Sequence, residues 1–487
     1  MIRILIDNNK SRILGDRILV EELADRTKVR VKNAWFAMRN GWDGFVRYVS
    51  TETGSFSTGL LPMILDILKK EKISYELEDK RAPFKDMHEV TKVGDLTLRD
   101  YQQAALHAVL NNKVKGFRFQ RGILHEATNA GKNLIAAAIF QSFSKKRKGL
   151  FLIDEKEIFD QAVEELTELM GDEVGYISSK KTMIRRINVC MIPTLNSRIS
   201  RDPKLKALLA QQDIVIYDEV DKSANGRGKR ILGFCYNATV RIGLSGTPFM
   251  SKDKVANQNL LAYFGPVLHK MSNREMVAED HSTEPDIRFY MGNKLRIDDY
   301  QEEYQKGIID NKARHKKIWK LVMKFKRHMP CLIMFKNHAH GRNLLKACPE
   351  QIRETYKVEM VHGQTPNRKQ ILADFKEGRI DILICSMIVR RGKNIKKTRM
   401  MINAAGGDSV ANVLQLLGRL LRKDDDKKKV MFLDFYDYGE YLQRHSKHRL
   451  IALKNEKFEV PVKELYKGKL KTIIKYEREK RTQKRPR

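Results

Sequence analysis

The chain has 487 residues, too many for one hydrophobic core, so roughly two to four domains are expected, and its 42% hydrophobic content is enough to fill them. A formal charge of +34 points to a polyanionic partner, and phosphate backbones fit that better than an anionic membrane, because no apolar run approaches the roughly 20 residues that span a bilayer. Met1–Lys10 alternates apolar and charged residues, unlike a secretory signal, and Cys190, Cys235, Cys331, Cys348 and Cys385 are scattered without a CxxC pair, which sets aside a disulfide scaffold and a zinc module. The expectation is a soluble intracellular protein that works on nucleic acid.

Residues 1–92 carry strand-like segments at Ile2–Ile6, Lys28–Lys32 and Phe45–Val49, with amphipathic helical patterns at Arg17–Asp25 and Leu60–Lys70. Asn40-Gly41-Trp42-Asp43-Gly44 lies between Trp35-Phe36 and the last of these strands, where a hairpin tip would lie. A small α+β domain is predicted. Residues 93–280 alternate helical patterns with short apolar strands at Gly122–His125, Gly149–Ile153, Ile187–Met191, Ile214–Tyr217 and Arg241–Ser245. That rhythm predicts a parallel sheet with helices on both faces. Residues 281–455 repeat it at Cys331–Phe335, Val358–Val361, Ile380–Cys385, Met400–Asn403 and Val430–Phe435, led by a polar helical stretch from Ile297 to Lys326. Residues 456–487 form a basic extension, with eleven basic residues against three acids from Lys463 to Arg487, and read as a phosphate-binding tail or a merely solvated terminus.

Four strings recur in order beside these strands. The turn Ala127-Thr128-Asn129-Ala130-Gly131-Lys132-Asn133 follows the strand Gly122–His125. Binding a triphosphate needs close backbone approach and a cation. Backbone N–H groups at a helix N-terminus supply the first and Lys132 the second. Glu126 stands where the general phosphate-loop pattern has its first glycine, and Asn133 stands where it has a magnesium-binding hydroxyl. Asp218-Glu219-Val220-Asp221 follows the strand Ile214–Tyr217, at the strand end where parallel sheets bind ligands. There Asp218 is suited to hold magnesium and Glu219 to polarise water. Ser245-Gly246-Thr247-Pro248 is the third string. Gln415, Arg419 and Arg422 are predicted to share one helix face, and two converging guanidinium groups call for an anion such as a γ-phosphate. A basic helix face is the alternative.

With these residues the chain resembles the superfamily 2 helicases. Leu98–Gln102 resembles the family's adenine-reading element, with Gln102 as the adenine contact. Ala127–Asn133, Asp218–Asp221, Ser245–Pro248, Pro330–Phe335, Ser386–Ile395 and Gln415–Arg422 resemble motifs I to VI in order, with Gly392 in motif V. The resemblance implies that Arg390 and Arg391, just before Gly392, contact a strand backbone. The N-terminal Asn40–Gly44 and Gly59–Pro62, together with Tyr304–Arg314 and Met334–His338, are similar to the UvsW-type phage helicases, which remodel replication forks, Holliday junctions and displacement loops. Asp221 stands where that type tends to carry His.

The predicted fold is α/β: two RecA-like parallel-sheet domains (93–280 and 281–455), a small N-terminal α+β domain (1–92) and a basic C-terminal tail (456–487). The resemblance implies an enzyme that uses ATP and Mg²⁺ and translocates on DNA, with recombination, repair or replication proteins as possible partners. Trp42 either stacks on a base or wedges a junction open, or it tucks under its own turn. Two rivals stand beside this reading. One is a junction-binding scaffold with a degenerate ATP pocket, motivated by Asn133. The other is an RNA helicase or a restriction-type translocase.

Overall fold

A computed structural model describes residues 2–472 apart from 33, 40, 83, 85, 225, 293–296, 387–396, 425, 467 and 468. The chain divides into two compact units, Met1–Met271 and Ser272–Arg487. Each is built around a large parallel sheet.

In the first unit the sheet runs in the order Thr182–Met183, Val174–Ile177, Ile187–Met191, Gly149–Ile153, Ile214–Asp218, Val240–Ser245, Arg121–Glu126, Val267–Met271. Every pairing is parallel except that of Thr182–Met183. The central strands are buried along their whole length, as continuous apolar runs covered on both faces must be. All five strands expected between 93 and 280 are present, and Val174–Ile177 and Val267–Met271 extend the sheet beyond them. The order sets three adjacent strands, 214–218, 240–245 and 121–126, side by side. Their carboxyl ends carry the acid pair, Ser245 and the phosphate turn.

A second sheet in the same unit, ordered Ser55–Ser57, Lys10–Leu14, Ile2–Ile6, Tyr75–Asp79, packs with the helices Arg17–Thr27 and Leu61–Lys70. Its core of Ile2, Ile4, Leu60 and Leu61 is continuous with Phe119 and Ala262 from the rest of the unit. Tyr48 Oη donates to Asn259 Oδ1 at 2.8 Å, and Asn8 Nδ2 donates to the Asn237 carbonyl at 3.1 Å. Gly59 presses against a helix of the larger sheet: a Cβ there would stand 2.4 Å from the Leu261 carbonyl oxygen and 2.6 Å from that of Ala262. The Trp35-Phe36 segment, expected to flank a hairpin tip, is a single helical turn, Trp35–Met38, inside the loop joining the paired strands Val29–Arg30 and Phe45–Val46.

In the second unit the order is Val358–Val361, Ile382–Ser386, Cys331–Phe335, Met400–Asn403, Lys429–Tyr436, Glu284–Met291, Val462–Tyr466, Lys469–Thr472. The five expected strands lie side by side at one end of the order. Glu284–Met291 adds a strand, and the start of the basic extension pairs beside it as a hairpin, Phe289 opposite Val462, where a tail was expected. The polar helical stretch breaks at Asn311, whose side chain accepts from Arg314 N at 2.9 Å and caps a new helix, Lys312–Lys324. Glu303 is fully buried and accepts backbone N–H bonds from Glu440, Tyr441 and Leu442 at 3.0, 3.3 and 2.6 Å. An anion at that helix start satisfies donors the helix itself leaves open. Asp434, also buried, holds Arg449 through two bonds of 3.0 Å. No helix among the described residues is long and apolar enough to cross a membrane.

The Gly59 contact is with backbone, which has little room to give. Gly59→Ala is expected to lower the stability of the protein by about 2 kcal/mol in urea unfolding. A midpoint equal to that of the unaltered chain would contradict the close packing.

Candidate active site

The turn 127–131 links the strand Arg121–Glu126 to the helix Lys132–Gln141. Ala130 N closes it on the Ala127 carbonyl at 3.0 Å, and Ala127 N is held by the Met271 carbonyl at 2.9 Å. Gly131 has φ +73°, a left-handed conformation that favours glycine, and a Cβ there would meet Gln102 Nε2 at 2.7 Å. Gln102 and Tyr101 both donate to the Ala130 carbonyl, at 2.9 and 3.1 Å, and Gln102 Oε1 accepts from Arg99 N at 3.0 Å. Gln102 therefore braces the turn with both ends of its amide. Ala127 and Ala130 are buried, while Thr128 and Asn129 are partly exposed. Glu126, in the place of the first glycine, is fully buried, and its carboxylate accepts from His269 Nδ1 at 2.7 Å.

Lys132 opens the helix, and its Nζ lies 3.7 Å from Glu219 Oε1. Glu219 has φ +51°, a strained backbone for a residue with a side chain, directly after Asp218. Asp218 closes its strand with 6% of its surface exposed, and its Oδ1 has no hydrogen-bond partner among the described residues. Burial pushes its carboxyl above the ordinary range, Lys132 pulls it back, and the Glu219 charge pushes it up again. A buried carboxylate oxygen without a donor fits a cation. Magnesium commonly takes one or two protein carboxylates and completes its shell with substrate phosphates and water.

Asp221 accepts from Ser245 Oγ at 3.0 Å, and the same oxygen accepts from Thr247 N at 3.0 Å. His125 Nε2 donates to the Gly246 carbonyl at 3.1 Å. A Cβ on Gly246 would lie 3.2 Å from the Glu126 carbonyl oxygen, so the third string packs directly on the phosphate turn. Burial, then the Glu219 charge, raises the Asp221 carboxyl above its ordinary value.

Asn133 is held through its amide nitrogen. Its Nδ2 donates to Glu165 Oε2 at 2.6 Å, and Gln161 holds the other oxygen of that carboxylate. Glu165 lies on the helix Lys156–Met170 and was not singled out in the sequence. Tyr101 lies inside the stretch Leu98–Gln102 but without a role of its own there, whereas His269 and Glu165 are distant in sequence and gave no local signal.

The second unit carries Gln415 and Arg419 on the helix Val410–Leu420, where Arg419 is 9% exposed. Arg422 does not continue that helix face. It lies beyond the last helical turn, with its N–H reaching back to the Arg419 carbonyl at 3.4 Å. Arg390, Arg391 and Gly392 fall outside the described residues. Trp42, on the N-terminal loop, is 37% exposed, its indole N–H donating to the Phe45 carbonyl at 3.1 Å, while Trp35 on the same loop is 54% exposed. Trp42 is thus pinned to its own turn with part of its ring facing solvent.

Residues 95–250 match the family described as Type III restriction enzyme, res subunit, and residues 313–424 match the helicase conserved C-terminal domain. The ATP-dependent DNA helicase uvsW of Enterobacteria phage T4 is 24% identical over 397 residues, covering 74% of this chain and 76% of that protein. The DNA 3'-5' translocase XPB2 of Sulfurisphaera tokodaii is 22% identical over 393 residues, covering 73% and 84%. The DUF1998 helicase MrfA, solved bound to DNA, shares the fold at a TM-score of 0.53 and 15% identity, over 74% of this chain and 49% of that one. Two matched helicase regions, with the ordered motifs lying on RecA-like sheets, make this chain an ATP-dependent superfamily 2 helicase that resembles the UvsW type.

Proposed function

We propose that this helicase moves along DNA and remodels its branched forms, replication forks and four-way junctions above all, in phage replication, recombination or repair. One observation carries the energetic half of the reading: a phosphate turn, a lysine and a buried carboxylate oxygen without a donor meet at adjacent strand ends. The functional partition proposed is 1–92 as a wedge that holds duplex, 93–280 and 281–455 for the motor, and 456–487 as a basic extension.

In this reading the turn formed by Ala127, Thr128, Asn129, Ala130 and Gly131 cradles the phosphates, with the N–H groups of Ala127 and Ala130 holding the turn itself. Lys132 neutralises the outer ones, and Gln102 meets the adenine with an amide already fixed in orientation. Asp218 holds Mg²⁺, with Asn133 as a further oxygen donor, and the ion supplies charge neutralisation at the phosphates. Glu219 orients the attacking water. Its pairing with Lys132 keeps both side chains in place before substrate arrives. Gln415, Arg419 and Arg422 are the residues suited to a phosphate anion such as the γ-phosphate. Arg390 and Arg391, beside Gly392, grip a strand backbone. The Asp221–Ser245–Thr247 chain ties the acid string to the third string, so a change at the acids on loss of the γ-phosphate reaches the third string. The charge of +34 and the two exposed tryptophans favour DNA as the track.

The rival scaffold reading draws on Asn133, whose amide is engaged by Glu165. Asn133→Thr separates the two. Little change in DNA-stimulated hydrolysis says that the asparagine serves, and a large gain says that the native pocket is compromised.

Three outcomes follow. Lys132→Ala is expected to lower ATP hydrolysis by about a hundredfold or more and to abolish fork unwinding. Retained unwinding would sink the assignment. Deleting 1–92 would bare Phe119 and Ala262, so the wedge is better tested in the full chain. Trp35→Ala with Trp42→Ala should cut the number of fork base pairs opened per ATP hydrolysed several-fold, and an unchanged ratio would remove the tryptophans from the wedge.

The third concerns pH. Native Asp221 keeps its proton at pH values where the unfolded chain has lost it, so its contribution to stability falls as pH rises above the ordinary carboxylate range. Asp221→Asn retains an acceptor for Ser245 and removes that term. Thermal unfolding should show the variant gaining on the unaltered protein between about pH 5 and about pH 8. Parallel profiles would show that Asp221 titrates normally.

A further inference from the structure

The second unit holds a cavity of about 720 Å³ that no part of the ATP chemistry uses. One wall is aromatic. Tyr300, from the helix Tyr300–Tyr304, packs against Tyr441 at 5.7 Å between ring centroids and against His445 at 5.5 Å, the latter two from the helix Glu440–Asn455. The rim is cationic: Lys336, just after the strand Cys331–Phe335, and Arg444 are both exposed and both line the space. At its base lies Asn403, the last residue of the strand Met400–Asn403 and 2% exposed. Asn403 Nδ2 donates to Asp434 Oδ2 at 2.9 Å, and Arg449 fixes that carboxylate from the other side. The amide oxygen is buried and has no hydrogen-bond partner among the described residues.

These features ask for one kind of ligand. Aromatic walls take a flat ring, an orphaned buried acceptor asks for an N–H on that ring, and a cationic rim takes an anion attached to it. A nucleotide has all three, and the volume lies in the range of small-ligand sites. The charge on the rim and the floor argue against a purely apolar occupant. Asp408 also lines the space and pairs with His448 Nδ1 at 2.7 Å, and Lys336, Arg444 and Arg449 outnumber it among the charged groups of the lining.

We infer that this cavity receives one unpaired nucleotide of the DNA strand, its base against the wall formed by Tyr300 and Tyr441 with an edge N–H on Asn403 Oδ1, and its phosphate on Lys336 and Arg444. The inference rests on the reading of the chain as a DNA translocase. It adds to that reading a point at which the motor holds a base as well as the backbone. Such a grip is tolerant of sequence because every base presents a flat face.

The test uses the full chain and a fluorescein-labelled oligothymidylate at one fixed salt, read by anisotropy. Tyr441→Ala is expected to weaken binding about tenfold, with Tyr441→Phe close to the unaltered chain. Arg444→Ala should reduce the slope of log affinity against log salt by about one. Photo-cross-linking of a strand carrying 4-thiothymidine should label Tyr300 or Tyr441. If the unaltered chain binds the strand but all variants bind it equally and no label reaches either tyrosine, the pocket assignment is wrong while the translocase reading stands. If the unaltered chain does not bind the strand, both fall. If thymidine monophosphate binds alone and is lost in Tyr441→Ala while strand affinity is unchanged, the site belongs to a free nucleotide and the strand assignment is overturned.

Discussion

A carboxylate at the end of a strand buried on both faces is costly, and Asp218 sits there with one oxygen that no donor satisfies. Much of the surrounding structure moderates that cost. Lys132 opposes the burial that raises the Asp218 carboxyl, and Lys132 is held near the acids because Gly131 turns the chain into its helix in a left-handed conformation. Gln102 and Tyr101 fix that turn by donating to one carbonyl. What remains unsatisfied is a place for positive charge beside a cradle of backbone N–H groups, the pairing that a magnesium triphosphate completes. The site is thus poised by what the protein leaves out as much as by what it contributes.

Buried polar groups also carry the connection outward from this point. Asp221 accepts from Ser245, and Ser245 accepts from Thr247 N, so two adjacent strand ends share one chain of hydrogen bonds. In the second unit the same device appears without a ligand. Glu303 satisfies the first turn of the helix that carries Tyr441 and Arg444, and Asp434 holds both Arg449 and Asn403. These buried anions orient the residues that line the cavity. The N-terminal sheet shares a core with the rest of its unit, which makes it a fixture of the first unit and gives a wedge something rigid to push against.

Much of this was legible in the sequence, and what was missed has physical reasons. The central strands announce themselves because a strand covered on both faces must be apolar throughout, and the acids or the phosphate turn follow at once. Glu284–Met291 hid behind Asp286 and Arg288, which stand two apart on one side of the strand and pair with each other. The hairpin at Val462–Thr472 hid because its lysines suggested a solvated tail, although the backbone pairs regardless of charge. Arg422 looked helical from its three-residue spacing to Arg419, but the helix ends at Leu420. The partner of Asn133 was out of reach, since Glu165 lies 32 residues away and no local pattern joins them. Trp42 stayed open between two roles because a turn tryptophan can bury its polar edge while exposing its ring, and it does both.

The measurement that bears most directly on the central claim is ATP hydrolysis by the full chain with magnesium, without DNA and with single strands, duplex, forks and four-way junctions at one salt concentration. Strong stimulation by DNA is expected, greatest with the branched forms. Tight DNA binding with no hydrolysis above the DNA-free rate would contradict it and leave a scaffold that has kept the shape of a motor.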